Sequence, residues 1–246
     1  MNKKRLTSVP ASAPLSRDCP DCGLIDWAQH ASLSAADLQR FCDRIEHRRI
    51  RKHHEHLHRA GAALDALYVI NTGFVKTIIS DGNGHEQITG FSMPGDLVGL
   101  DAIATGRHQC STIALEDSSV CGIVFAELEQ LNRELPALQR HFHQTMGAEI
   151  TRDHGMMMLL GAMRAEERVA MFLLNLSRRL ALRGRSGTRF RMPMTRQEIG
   201  NYLGLQFETV SRAFSHLAST QLIAIDNKEV EIRSLDQLEQ LLRSRG

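Results

Sequence analysis

The stretch from Thr195 to Phe214 constrains the fold of this chain more than any other part of it. Thr195 and Glu198 have the spacing of a capping box, which fixes the start of a short helix. Gly204 then supplies the positive φ that a tight turn between two helices demands. Because a second amphipathic pattern follows at once, the sequence predicts a helix-turn-helix over residues 196–215.

Residues 222–225 and 229–232 are two apolar runs around Asp226-Asn227-Lys228, which predicts a hairpin wing beside the two helices. The start of a recognition helix enters the major groove. There Glu208 can accept a hydrogen bond from cytosine N4, and Arg212 can donate two hydrogen bonds to guanine O6 and N7. The alternative to a DNA-binding motif is a helical hairpin with an ordinary polar face, and the wing and the basic flank disfavour it. The predicted DNA contacts are Glu208, Ser211, Arg212, Thr195, Arg196, Gln206 and Thr209.

Charge divides the chain unevenly. Residues 164–246 hold 14 Lys and Arg against 9 Asp and Glu, whereas residues 1–163 hold 16 against 19. Seven arginines lie between Arg178 and Arg196 without an acidic residue among them. Such a stretch is typical of a surface for a polyanion, or of a solvated arginine-rich face, and charge alone does not decide between the two.

The middle of the chain, from about 50 to 124, alternates short β-rich runs with turns. Residues 67–70, 74–79 and 87–91 are rich in β-branched and aromatic side chains, and glycine-containing turns separate them. Without long helices between the strands, this spacing predicts a small antiparallel barrel or sandwich.

Pro136 opens a long helical stretch to about Met163 whose apolar residues follow two competing heptad phases. Either phase predicts a two-helix coiled coil and hence a homodimer, and either sets Asp153 against its own symmetry mate. The alternative is a helix packed on its own β-domain with Asp153 solvated. The predicted interface comprises Phe142, Met146, Ile150, Asp153, Met157 and Leu160. The favoured phase uses Met146, Ile150, Asp153, Met157 and Leu160; the other uses Phe142, Met146, Glu149, Asp153, Met156, Leu160 and Met163.

Several motifs in this order resemble the CRP/FNR superfamily of bacterial regulators, and its FNR branch in particular. They are residues 86–91, 95–99, 165–168, 175–179 and 194–212, the last containing an E-x-x-S-R pattern at Glu208 to Arg212. The resemblance implies an α+β chain in four parts. These are an N-terminal arm with a cysteine segment (1–30), an antiparallel β-roll (31–135), a dimerisation helix (136–163) and a winged helix-turn-helix (164–246).

The resemblance further implies a homodimer that binds double-stranded DNA at a palindrome such as TTGAT-N4-ATCAA and contacts RNA polymerase. It also implies sensing of oxygen or redox state through an iron–sulfur cluster of the 4Fe–4S type. Cys19, Cys22 and Cys121 match three of the ligand places, but Ala28 stands at the fourth. Asp26, His30 or Cys42 could replace the missing cysteine, since carboxylate and imidazole also bind iron.

Other interpretations of these cysteines stay open: no cofactor, or a reversible thiol pair of Cys19 and Cys22. A regulator that senses a small molecule or a haem ligand is the rival function. Cyclic AMP is not expected, because residues 107–112 are a poor match to the phosphate motif of cyclic-nucleotide-binding relatives. His54, His56 and His58 would share one face of a strand, either as a transition-metal site or as a solvated surface.

Catalytic motifs are missing from the sequence. It has no nucleophile elbow, P-loop, G-x-G-x-x-G or H-E-x-x-H pattern, so an enzyme is not expected. No apolar run approaches the length of about 20 residues that crosses a bilayer. The N-terminal 17 residues lack the apolar core of a signal peptide, and we therefore expect a cytoplasmic protein with reduced cysteines.

Overall fold

The computed structural model describes residues 22–50, 55–81 and 83–243. The α+β class is confirmed: two four-stranded antiparallel sheets form a β-roll, followed by a long helix and a C-terminal winged helix-turn-helix. The β-roll sheets have the strand orders β1-β8-β3-β6 and β2-β7-β4-β5. Its strands are β1 (Ile45–Ile50), β2 (His56–His58), β3 (Ala66–Thr72), β4 (Val75–Ser80), β5 (Glu86–Ser92), β6 (Leu97–Val98), β7 (Ser111–Ala114) and β8 (Ser118–Val124).

The turn between β3 and β4 shows why the predicted strands are divided as they are. Gly73 adopts a φ of +80°, and an added Cβ would lie 2.1 Å from Ser118 Oγ. Only glycine fits this position without moving the neighbouring strand β8. The three predicted strands of this region are confirmed as β3, β4 and β5.

The N-terminal segment is not an arm throughout, and here the prediction for residues 1–30 needs correction. Residues Gly23–Gln29 form helix α1, which buries Leu24, Trp27 and Ala28 against the β-roll. Helix α2 (Ala35–Cys42) follows, and the Ser34 side chain caps it by accepting from the Asp37 N–H. The apolar residues of α1 make it part of the core, because they would otherwise be exposed to water. Cys19 lies outside the described residues.

Two helices lead out of the β-roll: α3 (Phe125–Glu134) and the 27-residue α4 (Pro136–Ala162). The first half of α4 belongs to the core of its own chain, since Leu138 and Phe142 are buried there. The second half of α4 is different, because Ile150 and Met157 are 56% and 69% exposed. Helix α4 therefore packs on its own chain at its start and exposes apolar side chains towards its end.

The C-terminal part begins with α5 (Ala165–Ala181) and contains the predicted helix-turn-helix as α6 (Arg196–Leu203) and α7 (Phe207–Ser219). The hairpin wing is confirmed as β10 (Ile223–Asp226) and β11 (Glu229–Ile232), turning at Asn227 with a φ of 54°. Strand β9 (Arg189–Arg191) adds to β11, and α8 (Leu235–Arg243) packs on α5. Among the described residues, no helix is long and apolar enough to cross a membrane.

Candidate DNA-recognition helix and cysteine pocket

The recognition helix α7 carries its polar residues on an open face. Gly204 ends α6 in the left-handed region (φ +62°), and Gln206 occupies the N-cap position of α7 two residues later. Val210, Ala213 and Phe214 are buried beneath the helix, which turns the opposite face outward. Gln206, Glu208 and Arg212 are exposed on that face, and Thr209 and Ser211 are half-buried beside them.

Phe207 was not among the predicted DNA contacts, yet it is 45% exposed at the first position of α7. An exposed aromatic ring beside Glu208 can contact the methyl group of a thymine in the major groove. Its place directly after the cap is the sequence signal that could have identified it.

Thr195 and Arg196, the two predicted contacts at the start of α6, have partners within the chain. Thr195 Oγ1 accepts from the Glu198 N–H at 3.1 Å, which completes the capping box. The Arg196 guanidinium stacks 3.4 Å above the centre of the Phe214 ring, and its burial lowers its pKa to about 10. Arg196 therefore joins α6 to α7 whatever it contacts outside the chain.

Glu198 also ties the helix-turn-helix to the β-roll. Lys76 Nζ donates to Glu198 Oε1 at 2.9 Å across the two parts of the chain. Burial raises the pKa of Glu198, but hydrogen bonds from the Thr195 N–H and Lys76 outweigh it and lower that pKa overall. Next to it, Asn201 receives a hydrogen bond from the Ile88 N–H and donates to Glu86 O at 2.8 Å. The β-roll thus holds α6 along strand β5.

The arginine-rich stretch is neither a free polyanion surface nor a uniformly solvated face. The buried Asp96 carboxylate accepts from Arg179 and Arg183 of α5 and its C-terminal turn. These ion pairs join the motif of residues 95–99 in the β-roll to the end of α5, where Arg179 belongs to the motif of residues 175–179. Arg178 and Arg191 pair with Glu239 and Glu116. Arg185 and Arg189 stay exposed.

At the other end of the molecule, Cys22 and Cys121 meet in the core although 98 residues separate them in the sequence. Cys22 is the N-cap of α1, and Cys121 lies in the middle of β8. The Cys121 thiol hydrogen-bonds that of Cys22, which lowers the pKa of Cys22 to about 7 against the opposing effect of burial. Asn71 Nδ2 donates to Cys121 Sγ at 2.9 Å. Sequence reasoning gave no signal for Asn71.

The three candidate substitutes for the missing cysteine lie in different surroundings. Cys42, at the end of α2, is half-buried, and its pKa is raised by burial and by the negative charge of Cys22. Asp26 and His30 are both exposed, and the His30 ring hydrogen-bonds the Asp26 carbonyl oxygen (2.7 Å). Ala28 is fully buried and offers no ligand atom. We call Cys22, Cys42 and Cys121 the cysteine pocket.

Helix α1 connects the cysteine pocket to α4. Trp27 Nε1 donates to Thr145 Oγ1 at 3.0 Å, and the Trp27 ring lies 4.7 Å from that of His141. The edge of Phe142 packs on the same indole, with 6.5 Å between ring centres. These contacts attach α1 to the first half of α4.

The predicted dimer interface divides at the middle of α4. Phe142 is buried against Trp27 and is unavailable to a partner, so its place in the interface needs correction; Met146 packs beside the same core. Met156 and Met163, which only the second heptad phase uses, pack against the core of their own chain. Four residues of the first phase lie exposed along one stripe, which we call the α4 stripe: Ile150, Asp153, Met157 and Leu160.

Comparison with known proteins matches two family models to these two parts. Residues 48–134 match the cyclic nucleotide-binding domain, and residues 167–241 match the Crp-like helix-turn-helix domain. Among solved structures, FixK2 from Bradyrhizobium japonicum superposes with a TM-score of 0.73 at 31% identity, covering 80% of this chain and 96% of that one. Both the fold and its order along the chain are shared.

Curated relatives are similar over nearly the full length. The transcriptional regulatory protein btr of Bordetella pertussis is 42% identical, covering 93% of this chain and 96% of that protein. The transcriptional activator Anr of Pseudomonas protegens is 43% identical, with coverages of 89% and 90%. The fumarate and nitrate reduction regulatory protein of Escherichia coli is 39% identical, with coverages of 97% and 96%.

The chain belongs to the CRP/FNR family of transcription regulators and to its FNR branch. Like these relatives, it is a DNA-binding transcription regulator and not an enzyme.

Proposed function

We propose that this regulator acts as a homodimer, binds a palindrome such as TTGAT-N4-ATCAA and responds to oxygen or redox state through a 4Fe–4S cluster. The observation that carries the proposal is the cysteine pocket: the thiols of Cys22, at the start of α1, and Cys121 of β8 are hydrogen-bonded, and Cys42 at the end of α2 lies close enough to be affected by the charge of Cys22. Such a regulator works beside DNA in the cytoplasm and acts on RNA polymerase.

The donor set fits an iron–sulfur cluster, which thiolates normally hold. Cys22 and Cys121 adjoin, Cys42 lies within reach of the charge of Cys22, and Cys19 precedes Cys22 by three residues. We assign the fourth ligand to Cys42 rather than Asp26 or His30, because a half-buried thiol suits soft iron better than two exposed oxygen and nitrogen donors. When bound, the cluster supplies an electron-rich centre that oxygen destroys.

The chain's own residues would carry this signal to the DNA. Ligation through Cys22 fixes the start of α1, and α1 positions Trp27 against Thr145 and His141 of α4. The second half of α4 presents the α4 stripe, whose apolar residues gain free energy when a second copy covers them. Asp153 opposes that pairing by like-charge repulsion, so the dimer stays marginal until α4 is correctly placed.

Pairing of two copies would present two α7 helices to successive major grooves, one for each half-site. Glu208 and Arg212 then contact base edges, with Phe207, Ser211 and Gln206 beside them. Cyclic AMP is not the ligand in this proposal. The single arginine of residues 107–112, Arg107, already donates to the carbonyl oxygen of Gly61 at 2.8 Å.

The test is purification of the full chain under nitrogen and under air, with iron and sulfide analysis and an ultraviolet–visible spectrum. We expect a coloured, iron-loaded protein under nitrogen that binds the palindrome tightly and loses both properties in air. Colourless, iron-free protein from the anaerobic preparation contradicts the cluster. A haem spectrum, or DNA binding that is kept in metal-free protein, supports instead the rival sensor of a haem ligand or small molecule.

A further inference from the structure

A second group of metal-binding residues lies in the β-roll, away from the cysteine pocket. His58 of β2, Asp101 of the 3-10 turn Leu100–Ala102 and His108 before β7 place one ligand atom each within 4.8 Å of one another. Both histidines are buried and Asp101 is half-buried. We call these residues the histidine–aspartate cluster. The sequence had paired His58 with His54 and His56; His54 lies outside the described residues.

The cluster is held in place by hydrogen bonds from its surroundings. His108 Nδ1 lies 3.2 Å from Asp101 Oδ1, and the other carboxylate oxygen accepts from the backbone N–H groups of Gln109 and Cys110 at 2.8 and 3.0 Å. Thr112 Oγ1 lies 3.0 Å from His58 Nε2. These contacts orient the carboxylate and one imidazole, as partners around metal ligands do.

The two imidazole rings stack face to face, 3.6 Å apart and 8° from parallel. This stacking places one ring nitrogen of each histidine and one Asp101 carboxylate oxygen within 4.8 Å of one another. Neutral imidazoles beside a carboxylate are the donors that a divalent transition metal takes.

We propose that His58, Asp101 and His108 form a binding site for a divalent transition-metal ion, with Zn²⁺ as the probe. Three protein ligands leave one position of a tetrahedral ion for water. The ion would join β2 to the connection between β6 and β7, which are distant in sequence and adjacent in space. It would therefore stiffen one end of the β-roll independently of the cysteine pocket.

The test uses the full chain, stripped of metal by a chelator under nitrogen and then titrated with Co²⁺ or Zn²⁺. Co²⁺ distinguishes the two candidate sites, because thiolate ligands give sulfur-to-cobalt charge-transfer bands in the near ultraviolet and imidazole with carboxylate gives none. We expect one ion per chain that adds visible d–d absorption without a thiolate band, beside any cobalt that the cysteine pocket binds. Zn²⁺ should displace it and raise the midpoint of thermal unfolding by several degrees.

His58→Gln and His108→Gln are expected to weaken this binding at least about 100-fold, since each removes one of three ligands. His85→Gln is the matched control: His85 also pairs with an aspartate, Asp81, at 3.1 Å, but that pair is exposed. Circular dichroism checks folding of the metal-free variants. If a histidine variant unfolds, Asp101→Asn serves instead, because its amide oxygen still accepts from the Gln109 N–H.

Loss of the non-thiolate cobalt signal and of the Zn²⁺-dependent stabilisation in the cluster variants, with both kept in His85→Gln, supports the site. The proposal is overturned if wild-type protein shows only thiolate-bound cobalt, or if folded His58→Gln and Asp101→Asn bind as much metal as wild type. Neither result depends on an iron–sulfur cluster or on DNA binding, so the proposed function is judged separately.

Discussion

The recognition helix and the cysteine pocket differ in their exposure to water and in how far apart their residues lie in the sequence. The functional side chains of α7 lie within seven residues, Gln206 to Arg212, and project into water from a helix whose other face is buried. The pocket takes Cys22, Cys42 and Cys121 from three separate elements; Cys22 and Cys121 are buried and Cys42 is half-buried. One site is exposed and local; the other is largely buried and assembled from distant parts of the chain.

This difference determines which properties a substitution at each site should change. On the proposed function, truncation of a side chain on α7 would remove a contact to DNA and leave the core intact, because Glu208 and Arg212 are exposed. A change in the pocket alters packing, thiol ionisation and the position of α1 together. The α4 stripe lies between the two and should transmit the state of one to the other.

The largest effect is expected for Cys42→Ser. Serine keeps the size of the side chain but is a poor ligand for iron, so the cluster should be lost and iron content should fall to near zero. Anaerobic affinity for the palindrome should then fall about 100-fold or more, since two linked half-sites bind far more tightly than one. Iron analysis and fluorescence anisotropy under nitrogen measure both quantities.

Cys110→Ser is the matched control for Cys42→Ser, because Cys110 is also reduced and enclosed but lies outside the pocket. It should keep iron and DNA affinity. Wild-type iron content in Cys42→Ser would refute the assignment of the fourth ligand and direct attention to Asp26 and His30.

The next effect is expected for Arg212→Ala. Loss of a bidentate contact to guanine costs about 1–3 kcal/mol, or about 5- to 160-fold in affinity, at each half-site of the palindrome. The loss should vanish on a palindrome in which that guanine is replaced. As the control, Arg185→Ala changes an exposed arginine outside α7 and should leave the affinity for both palindromes unchanged. An equal loss on every DNA sequence would show that Arg212 contacts phosphate instead.

The same contrast explains what the sequence could and could not predict. The helix-turn-helix depends on a capping box, one glycine and a short apolar period, all of which are local signals, and the structure confirms its helices and wing. The pairing of Cys22 with Cys121 was available only through a family resemblance. Its contact with Asn71 depends on how β3 and β8 align, which no local pattern specifies.

Two further residues have surroundings that the sequence pattern does not indicate, for a related reason. Phe142 has the right spacing for a coiled coil, but Trp27, more than a hundred residues earlier, covers it. His58 has the alternation of a solvated strand, yet it is buried against His108. In each case a residue far away in sequence decided the surroundings, and periodicity carries no information about such neighbours.

A smaller effect is expected for Asp153→Ala on the α4 stripe. Removing two facing negative charges should favour the dimer about tenfold for each 1.4 kcal/mol of repulsion relieved. The variant should therefore form dimers even in air, as measured by sedimentation velocity at several concentrations. His154→Ala changes an exposed neighbour off the stripe and should behave as wild type. A variant that stays monomeric in air at every concentration would exclude Asp153 as the element that opposes pairing.

The smallest effect concerns the ionisation of the metal-free pocket. The hydrogen bond from Cys121 lowers the pKa of Cys22 from its ordinary value of 9.0 to about 7 in the folded chain. Folding therefore favours the thiolate, and the free energy of unfolding should rise between about pH 7 and pH 9, by at most about 1.4 kcal/mol per pH unit. The gain is lost as the pH falls through 7.

Denaturant unfolding of reduced, iron-free protein across this pH range measures that slope, and Cys22→Ser should abolish the part that Cys22 contributes. Cys110 acts in the opposite direction: burial raises its pKa to about 11, so ionisation of the unfolded thiol should reduce stability above pH 9. Cys110→Ser should therefore leave the rise from pH 7 to 9 in place and weaken the fall above it. An unchanged rise in Cys22→Ser would mean that the Cys121 thiol does not stabilise a thiolate at Cys22.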